Sequence, residues 1–412
     1  MRALKTIIVF LAVFYSTIVF NSGPLHACTS AIITGKVTAN GRPLLWKHRD
    51  TGQEQNRIEF FNKGKYAFIA LVDSPDKGGV AWTGTNAAGF SIMNTASYNL
   101  KDDDVKEMDK EGVLMYKALE ICGSLPDFEN MLDTLSRPMG VEANFGVIDA
   151  FGGAAYYEVN NHSWVKTDVN DPRVAPGGYL IYTNFSYSGR INEGMGYIRY
   201  QTATEIFGQK AVTGQFTPQW IFNNLSRSFY HSLLGYDLCD PDFSPENGRG
   251  WFIDQDFIPR KSSSCSIVIE GVKNGDDPLK TTMWTVLGYP PAGVCIPVWV
   301  QMGEKQPGLL VKRKQSDNSI LCEWAVGLKN RTFPIKRGNG SRYMHFTQIY
   351  NTAGKGYMQQ LRLLEDELFK IYDRTLSRLE NEGLTGKKIA TKEIEEMYKE
   401  ISLHICEVYD RL

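Results

Sequence analysis

Short strand-like runs separated by turns constrain the fold of this chain more than any other feature. Runs rich in β-branched and aromatic residues occur at positions 66–72, 79–83, 89–94, 144–148, 154–159, 180–183, 266–269 and 282–287. Because Gly-rich or Asp-Gly turns, and not helices, separate several of these runs, the pattern favours antiparallel sheets. Helical spacing of apolar residues appears between groups of strands, at 114–122, 127–135, 199–207 and 218–234. The sequence therefore predicts an α+β fold.

The C-terminal part of the chain has a different character. At 357–380 and 391–412 apolar positions recur every three or four residues among many Lys and Glu residues, and Gly383 and Gly386 lie between the two segments. This spacing predicts a helical hairpin. We assign residues 28–350 to one catalytic domain and 351–412 to a C-terminal helical extension. The hairpin either packs on the body, which we favour, or joins two copies, so a homo-oligomer stays open.

The first 27 residues form a segment of another kind. Arg2 and Lys5 precede an apolar run at 7–20, and a turn-prone stretch leads to the small residue Ala27. These are the three parts of a secretory signal peptide. We expect export to the periplasm or the cell exterior. We expect no membrane span, because no later apolar run is long enough to cross a bilayer.

Charge and cysteine usage narrow the classes of function. The 412 residues include 45 basic and 46 acidic ones without a basic block, so nucleic acid is not expected as a partner. The seven cysteines include no C-x-x-C pair and no His-rich neighbour, so no metal site is expected. In an exported protein an odd count leaves at least one thiol unpaired.

Cys28, directly after the predicted cleavage site, is the thiol with the clearest chemical use. As residue one of a mature chain it combines a nucleophilic sulfur with an α-amine whose unperturbed pKa is near neutrality. The amine can act as the base for the thiol, and no cofactor is needed. The competing hypothesis is a lipoprotein, because Leu25-His26-Ala27-Cys28 fits the loose pattern at which such cysteines are lipidated. In that case Cys28 is an anchor, and the protein is a surface binding protein.

Several segments, in order along the chain, resemble one known family. These are Cys28-Thr29-Ser30, the stretch 44–50 ending in Asp50, the stretch 86–90, Tyr182-Thr183-Asn184 and Ile198-Arg199-Tyr200. Together they resemble the N-terminal-nucleophile (Ntn) hydrolases of the choloylglycine hydrolase, penicillin V acylase and penicillin acyltransferase type. The resemblance covers roughly residues 28 to 300 and leaves the C-terminal extension unmatched.

The resemblance implies a four-layer αββα sandwich in which Cys28 attacks an amide carbonyl and forms a thioester. Asp50 would orient the α-amine or thiol of Cys28, although a turn aspartate before Thr51-Gly52 is the alternative. Lys47 stands where the family usually has Arg. It still supplies a positive charge that favours the thiolate, but it lacks the planar fork of Arg. Arg49, on the same strand face, is a candidate to cover the lost function.

The same resemblance assigns three further residues. Asn184 would supply an amide N–H to the oxyanion, with a second donor from Asn94, and Arg199 would hold Asp50 or the N-terminal region by bidentate hydrogen bonds. A turn-forming Asn and a surface Arg at a helix start are the alternatives. The expected partner is a small amide, such as a conjugated bile acid, an acyl-homoserine lactone, a penicillin or another small amide. Hydrolysis and acyl transfer both stay open, as does a peptide substrate, because a related dipeptidase family also begins with Cys-Thr-Ser.

Overall fold

The computed structural model describes residues 27–240, 250–381 and 387–412, so the predicted signal peptide lies outside the described residues except for Ala27. The strands within these ranges are β1 (Ala27–Ile33), β2 (Leu44–Asp50), β3 (Asn56–Phe61), β4 (Phe68–Asp73), β5 (Thr83–Asn86), β6 (Ser91–Ala96), β7 (Ala143–Ile148), β8 (Ala154–Val159), β9 (Trp164–Asp168), β10 (Tyr179–Tyr182), β11 (Tyr230–His231), β12 (Tyr236–Asp237), β13 (Trp251–Ile253), β14 (Ser263–Glu270), β15 (Thr282–Leu287), β16 (Ile296–Val298) and β17 (Tyr343–His345). The α-helices are α1 (Glu111–Ile121), α2 (Leu125–Thr134), α3 (Tyr197–Thr213), α4 (Pro218–Ile221), α5 (Ile320–Thr332), α6 (Tyr357–Asn381) and α7 (Lys387–Tyr409). None of these helices is both long enough and apolar enough to span a membrane.

Two large antiparallel sheets form the body. The six-stranded sheet has the order β10-β1-β2-β14-β15-β16, and the seven-stranded sheet runs β3 to β9 in chain order. Strands β1 and β2 pack face to face against β6 and β7. Helices α1 and α2 cover the seven-stranded sheet and share a second apolar core with it, while α3, α4 and α5 contact the six-stranded sheet. The predicted α+β fold with antiparallel sheets is confirmed.

Strands β1 and β2 form a hairpin at the beginning of the described chain. Strands β1 and β2 pair in antiparallel register, with Cys28 opposite Arg49 and Ala27 opposite Asp50. Gly41 closes the connecting loop at φ +76°, a left-handed conformation that glycine adopts without a steric penalty. The hairpin therefore delivers Cys28 and Asp50 to the same end of the sheet.

Helices α6 and α7 form the predicted C-terminal hairpin and contact the body directly. Their buried apolar residues belong to the same core as the six-stranded sheet. Glu365 of α6 makes a buried ion pair with Arg227, at 2.5 Å between Oε2 and Nη1. The Tyr372 and Tyr398 hydroxyls donate to the carbonyls of Cys295 and Pro297.

Two predicted elements are wrong. In place of the helix expected at 218–234, the chain forms the short helix α4 and one π-helical turn (Phe222–Ser226), and β11 follows. The helix stops before Arg227 although the apolar spacing continues, because the Arg227 guanidinium forms long-range bonds. It donates to the carbonyls of Pro290 and Gly293 and pairs with Glu365. The strand expected at 79–83 is absent, since Gly78 and Gly79 take positive φ values of 111° and 83° that interrupt extended backbone.

Candidate active site

Cys28 lies at a buried point of the six-stranded sheet, beside a cavity. It is the second residue of β1 and is only 5% exposed. Its side chain lines a cavity of about 150 Å³ bounded by β1, β2, β6 and the segment that follows β6. A thiol in this position can meet a small molecule that enters the cavity.

The backbone of Cys28 is fixed on both sides. Its nitrogen donates to Asn184 Oδ1 at 2.9 Å, and its carbonyl accepts from Arg199 Nη1 at 2.6 Å. Arg199 Nη2 also donates to Asn184 Oδ1 at 2.7 Å. Arg199 is buried, and desolvation, followed by the nearby charge of Arg260, lowers its pKa to about 9. The nitrogen that would become the α-amine of a mature chain is thus held by a rigid acceptor.

Lys47 brings a buried ammonium to the same cavity. Its Nζ donates to the Trp82 carbonyl at 2.7 Å and to Asn94 Oδ1 at 2.6 Å. Burial is the main reason why the pKa of Lys47 falls to about 8, with the Coulombic effect of Cys28 opposing it. Because this value lies above 7, the ammonium form predominates at neutral pH and faces a cavity that Cys28 also lines.

Asp50, the last residue of β2, is held by a network of hydrogen bonds. Its carboxylate accepts from Arg260 Nη2 at 2.7 Å and from Ser263 Oγ at 2.6 Å. Ser263 Oγ also lies 2.9 Å from His48 Nε2. Desolvation lowers the pKa of His48 to about 4, so this imidazole is neutral at pH 7. Asp50 is therefore a buried, ion-paired carboxylate, which is not the environment of a solvated turn residue.

Arg49 lies on the same strand face as Lys47, as expected, but its charge is already neutralised. It forms a bidentate pair with Asp73, at 2.5 and 3.1 Å, and its guanidinium stacks 4.5 Å from the Trp82 ring centroid. The paired carboxylate contributes to the raised pKa of Arg49. Lys47 is consequently the cation beside Cys28 that lacks a bound carboxylate in the described part of the chain.

Several solved structures of other proteins are similar to this chain. The Caenorhabditis elegans ortholog of N-acylethanolamine-hydrolyzing acid amidase matches with 13% identity over 59% of this chain and 92% of its own, at a TM-score of 0.39. A variant of the conjugated bile acid hydrolase from Clostridium perfringens matches with 12% identity over 68% and 93%, at 0.40, and penicillin V acylase from Agrobacterium tumefaciens with 12% over 66% and 86%, at 0.35. No family model and no curated protein matches the sequence. The likeness to these three structures is one of fold.

The site residues expected from the sequence either line one cavity or hold the backbone of Cys28 beside it. Cys28, Lys47, Asp50 and Asn94 line the cavity, while Asn184 and Arg199 hold the backbone of Cys28. The roles suggested for them stay predictions. The contacts of Asn184 and Arg199 make the expectations for these two residues more specific.

The side chain of Asn184 is already fully engaged. Its Nδ2 donates to the Ala96 carbonyl at 2.8 Å, and its Oδ1 accepts from Cys28 and Arg199. An oxyanion donor from Asn184 would therefore have to be its backbone N–H. Arg199 holds the N-terminal region and not Asp50, because its second bond from Nη1 goes to Thr29 Oγ1 at 2.8 Å.

Sequence reasoning missed the partners of Asp50. Arg260 and Ser263 lie just before and at the start of β14, which pairs with β2 and so ends beside Asp50. A strand was predicted at 266–269, but its pairing partner was not. Knowledge of that partner would have indicated that the residues preceding the strand meet Asp50.

Sequence reasoning also missed the acidic wall of the cavity. Asp109, Glu111 and Glu142 line the same cavity as Lys47 and Arg49. Glu111 is the first residue of α1, and Glu142 directly precedes β7. Neither position carries a motif, so only the tertiary structure brings these carboxylates together.

Proposed function

We propose that the chain is an exported amidase or acyltransferase that uses Cys28, as residue one of the mature protein, to form a thioester with its substrate. The observation that carries this proposal is the fixed Cys28 nitrogen, bonded to Asn184 Oδ1 at 2.9 Å beside a cavity lined by the Cys28 side chain. Cleavage after Ala27 would turn this nitrogen into an α-amine adjacent to the thiol. We further propose that the two sheets with their flanking helices form the four-layer Ntn arrangement.

The groups around Cys28 support a complete acyl-transfer cycle. The α-amine accepts the thiol proton as the sulfur forms a bond to the amide carbon. The resulting oxyanion takes a hydrogen bond from Asn94, whose Nδ2 is not used in the hydrogen bonds of the described residues. When the C–N bond breaks, the α-ammonium returns the proton to the leaving amine. Water, or a second amine, then attacks the thioester and regenerates the thiol.

The remaining residues position this machinery. Arg199 and Asn184 keep the Cys28 nitrogen and carbonyl fixed, and Lys47 stabilises negative charge on the sulfur or the oxyanion. Asp50, held by Arg260, lies opposite Ala27 and so borders the position of the amine that cleavage would create. This assignment leaves hydrolysis and transfer to an acceptor amine as alternative fates of one thioester.

The lipid-anchor alternative fits the structure less well. A lipidated Cys28 would carry a diacylglyceryl group on a sulfur that lies beside a cavity of about 150 Å³ and belongs to a residue that is 5% exposed. Strand β1 begins at Ala27, so no flexible tether separates Cys28 from the folded body. Both observations favour a nucleophile over an anchor.

The first test is the mass of the N-terminal peptide of the protein secreted by its own type of host. An unmodified Cys28 at residue one supports the proposal, whereas a lipid adduct or another N-terminus contradicts it.

In a screen of small amides, Cys28→Ser should lower turnover by about a thousandfold or more without loss of folding. Cys406→Ser, which changes a half-buried thiol that does not line the cavity, serves as the matched control and should retain activity.

A further inference from the structure

The charged residues that line the active-site cavity differ in whether they are paired. Arg49 is neutralised by Asp73, and Asp50 is neutralised by Arg260. Lys47 has no ion-pair partner among the described residues. The same cavity is lined by Asp109, Glu111 and Glu142, and Lys101 is its third basic lining residue in the described part of the chain.

The carboxylates of Asp109, Glu111 and Glu142 lack a fixed counter-charge. Lys101 is paired with Asp103, 3.3 Å away, and no ion pair of the described residues includes Asp109, Glu111 or Glu142. Glu142 Oε1 accepts the backbone N–H groups of Leu100 and Lys101 at 2.8 and 2.9 Å. These amide bonds anchor one carboxylate oxygen and leave the charge of the group uncompensated.

Glu111 is the most deeply placed of the three. It is 8% exposed, and its Oε1 accepts the backbone N–H of Glu142 at 3.1 Å. Burial of a carboxylate without a cation is costly, and it raises the pKa of Glu111 to about 7. A positively charged ligand group would supply the missing compensation.

Two other buried groups indicate independently that a ligand enters this cavity. Cys28 and Asn94 are each only 5% exposed, and both line the cavity. In the described part of the chain neither the Cys28 thiol nor Asn94 Nδ2 has a hydrogen-bond partner. Polar groups of largely buried residues that line a cavity and lack a protein partner are available to a substrate.

The other lining residues favour an organic cation. Trp82, Tyr98 and Met108 border the same cavity, and aromatic faces attract alkylammonium groups. The volume of about 150 Å³ lies below the range of clefts that hold drug-sized ligands, so the bound group is small.

We propose that the substrate is a small amide that carries a free ammonium group on one side of the scissile bond, and that Glu111 and Glu142, with Asp109 at the mouth, bind this ammonium. The inference rests on the proposed function and narrows its substrate class to aminoacyl-type amides. Neutral amides of the same size would lose the charge pairing and react more slowly.

The test compares amides that differ only in one charge. On the acyl side, 3-aminopropanoyl-4-nitroanilide is compared with butanoyl-4-nitroanilide. On the amine side, N-(2-aminoethyl)acetamide is compared with N-propylacetamide. In at least one pair the cationic member should have a kcat/KM about tenfold or more above its neutral partner. Equal values in both pairs, with turnover that depends on Cys28, would overturn this inference and leave the proposed function standing.

Variants locate the source of the selectivity. Glu111→Gln and Glu142→Gln keep an oxygen acceptor for the backbone bonds but remove the charge, so the cationic-to-neutral ratio should fall towards one. Asp109→Asn gives a second, conservative variant, because Asn tolerates the φ of +66° at this position. Glu107→Gln, on an exposed side chain outside the cavity, is the matched control and should keep the wild-type ratio.

A binding measurement makes the inference testable without turnover. Butylammonium should slow the alkylation of Cys28 by iodoacetamide at concentrations where 1-butanol does not, and Glu111→Gln should weaken that protection about tenfold. Equal protection by the two compounds, or none by butylammonium, would refute the ammonium site. Protection by Ca²⁺ or Mg²⁺ in place of butylammonium would also refute it, since the carboxylates would then bind a metal ion.

Discussion

Replacement of Glu111 by glutamine should stabilise the protein above about pH 7 while weakening its selectivity for cationic amides. Glutamine has nearly the same shape as glutamate and retains the oxygen that accepts the Glu142 backbone N–H. The substitution therefore removes a buried negative charge and changes little else.

The magnitude follows from the pKa of Glu111. Desolvation, opposed by backbone hydrogen bonds and reinforced by the charges of Asp109 and Glu142, raises this pKa from 4.5 to about 7. Between these values the unfolded chain has released the proton while the folded chain still binds it. The free energy of unfolding therefore falls as the pH rises through this window. At about 1.4 kcal/mol per pH unit, the full penalty above pH 7 is about 3 kcal/mol.

Urea unfolding of wild type and Glu111→Gln at pH 5 and pH 8 measures this penalty. The loss of unfolding free energy between the two pH values should be smaller in the variant by up to about 3 kcal/mol, because the other titrating groups contribute equally to both proteins. Glu107→Gln, at an exposed position, should follow wild type. An identical pH dependence in wild type and Glu111→Gln would mean that Glu111 ionises as in water, and the argument for an uncompensated cavity charge would fail.

Two further predictions concern the supports of the site and of the C-terminal hairpin. Gly196→Ala should reduce turnover, because an added Cβ would lie 2.4 Å from Arg199 Nη2; Gly235→Ala, with a similar positive φ and open space around it, is the control and should retain turnover. Glu365→Gln should lower the free energy of unfolding by about 3–5 kcal/mol, because it leaves the buried Arg227 guanidinium without its counter-charge. Enzyme assays and denaturant unfolding, respectively, check these outcomes, and an unchanged value in either variant would contradict the corresponding contact.

The sequence predicted best those features that depend on neighbours in the chain. Local patterns of apolar residues and turns determine the β1–β2 hairpin, the strands and the C-terminal helical hairpin. The residues singled out around Cys28 also lie close together in the fold, since β1 and β2 carry three of them and pair directly. The proximity of Cys28, Lys47 and Asp50 is thus a consequence of one short hairpin.

The features that could not be predicted depend on contacts between distant segments. Ser263 and Arg260 reach Asp50 from more than 200 positions further along the chain, through the pairing of β14 with β2. Glu111 and Glu142 meet because α1 packs beside the end of β7, and neither has a sequence motif. Likewise, Arg227 leaves the helical path expected from its neighbours because its partner Glu365 lies on α6.

The register of β1 and β2 defines where the proposed cleavage after Ala27 would place a new amine. Ala27 lies opposite Asp50, so its removal would leave the amine of Cys28 at the strand end, bonded to Asn184 Oδ1 and adjacent to a carboxylate. The unperturbed pKa of such an amine is near 8. Arg199 already holds the Cys28 carbonyl and Asn184 Oδ1, and the carboxylate of Asp50 is paired with Arg260. The folded site would therefore be preorganised before cleavage, and cleavage alone would supply the base that the thiol requires.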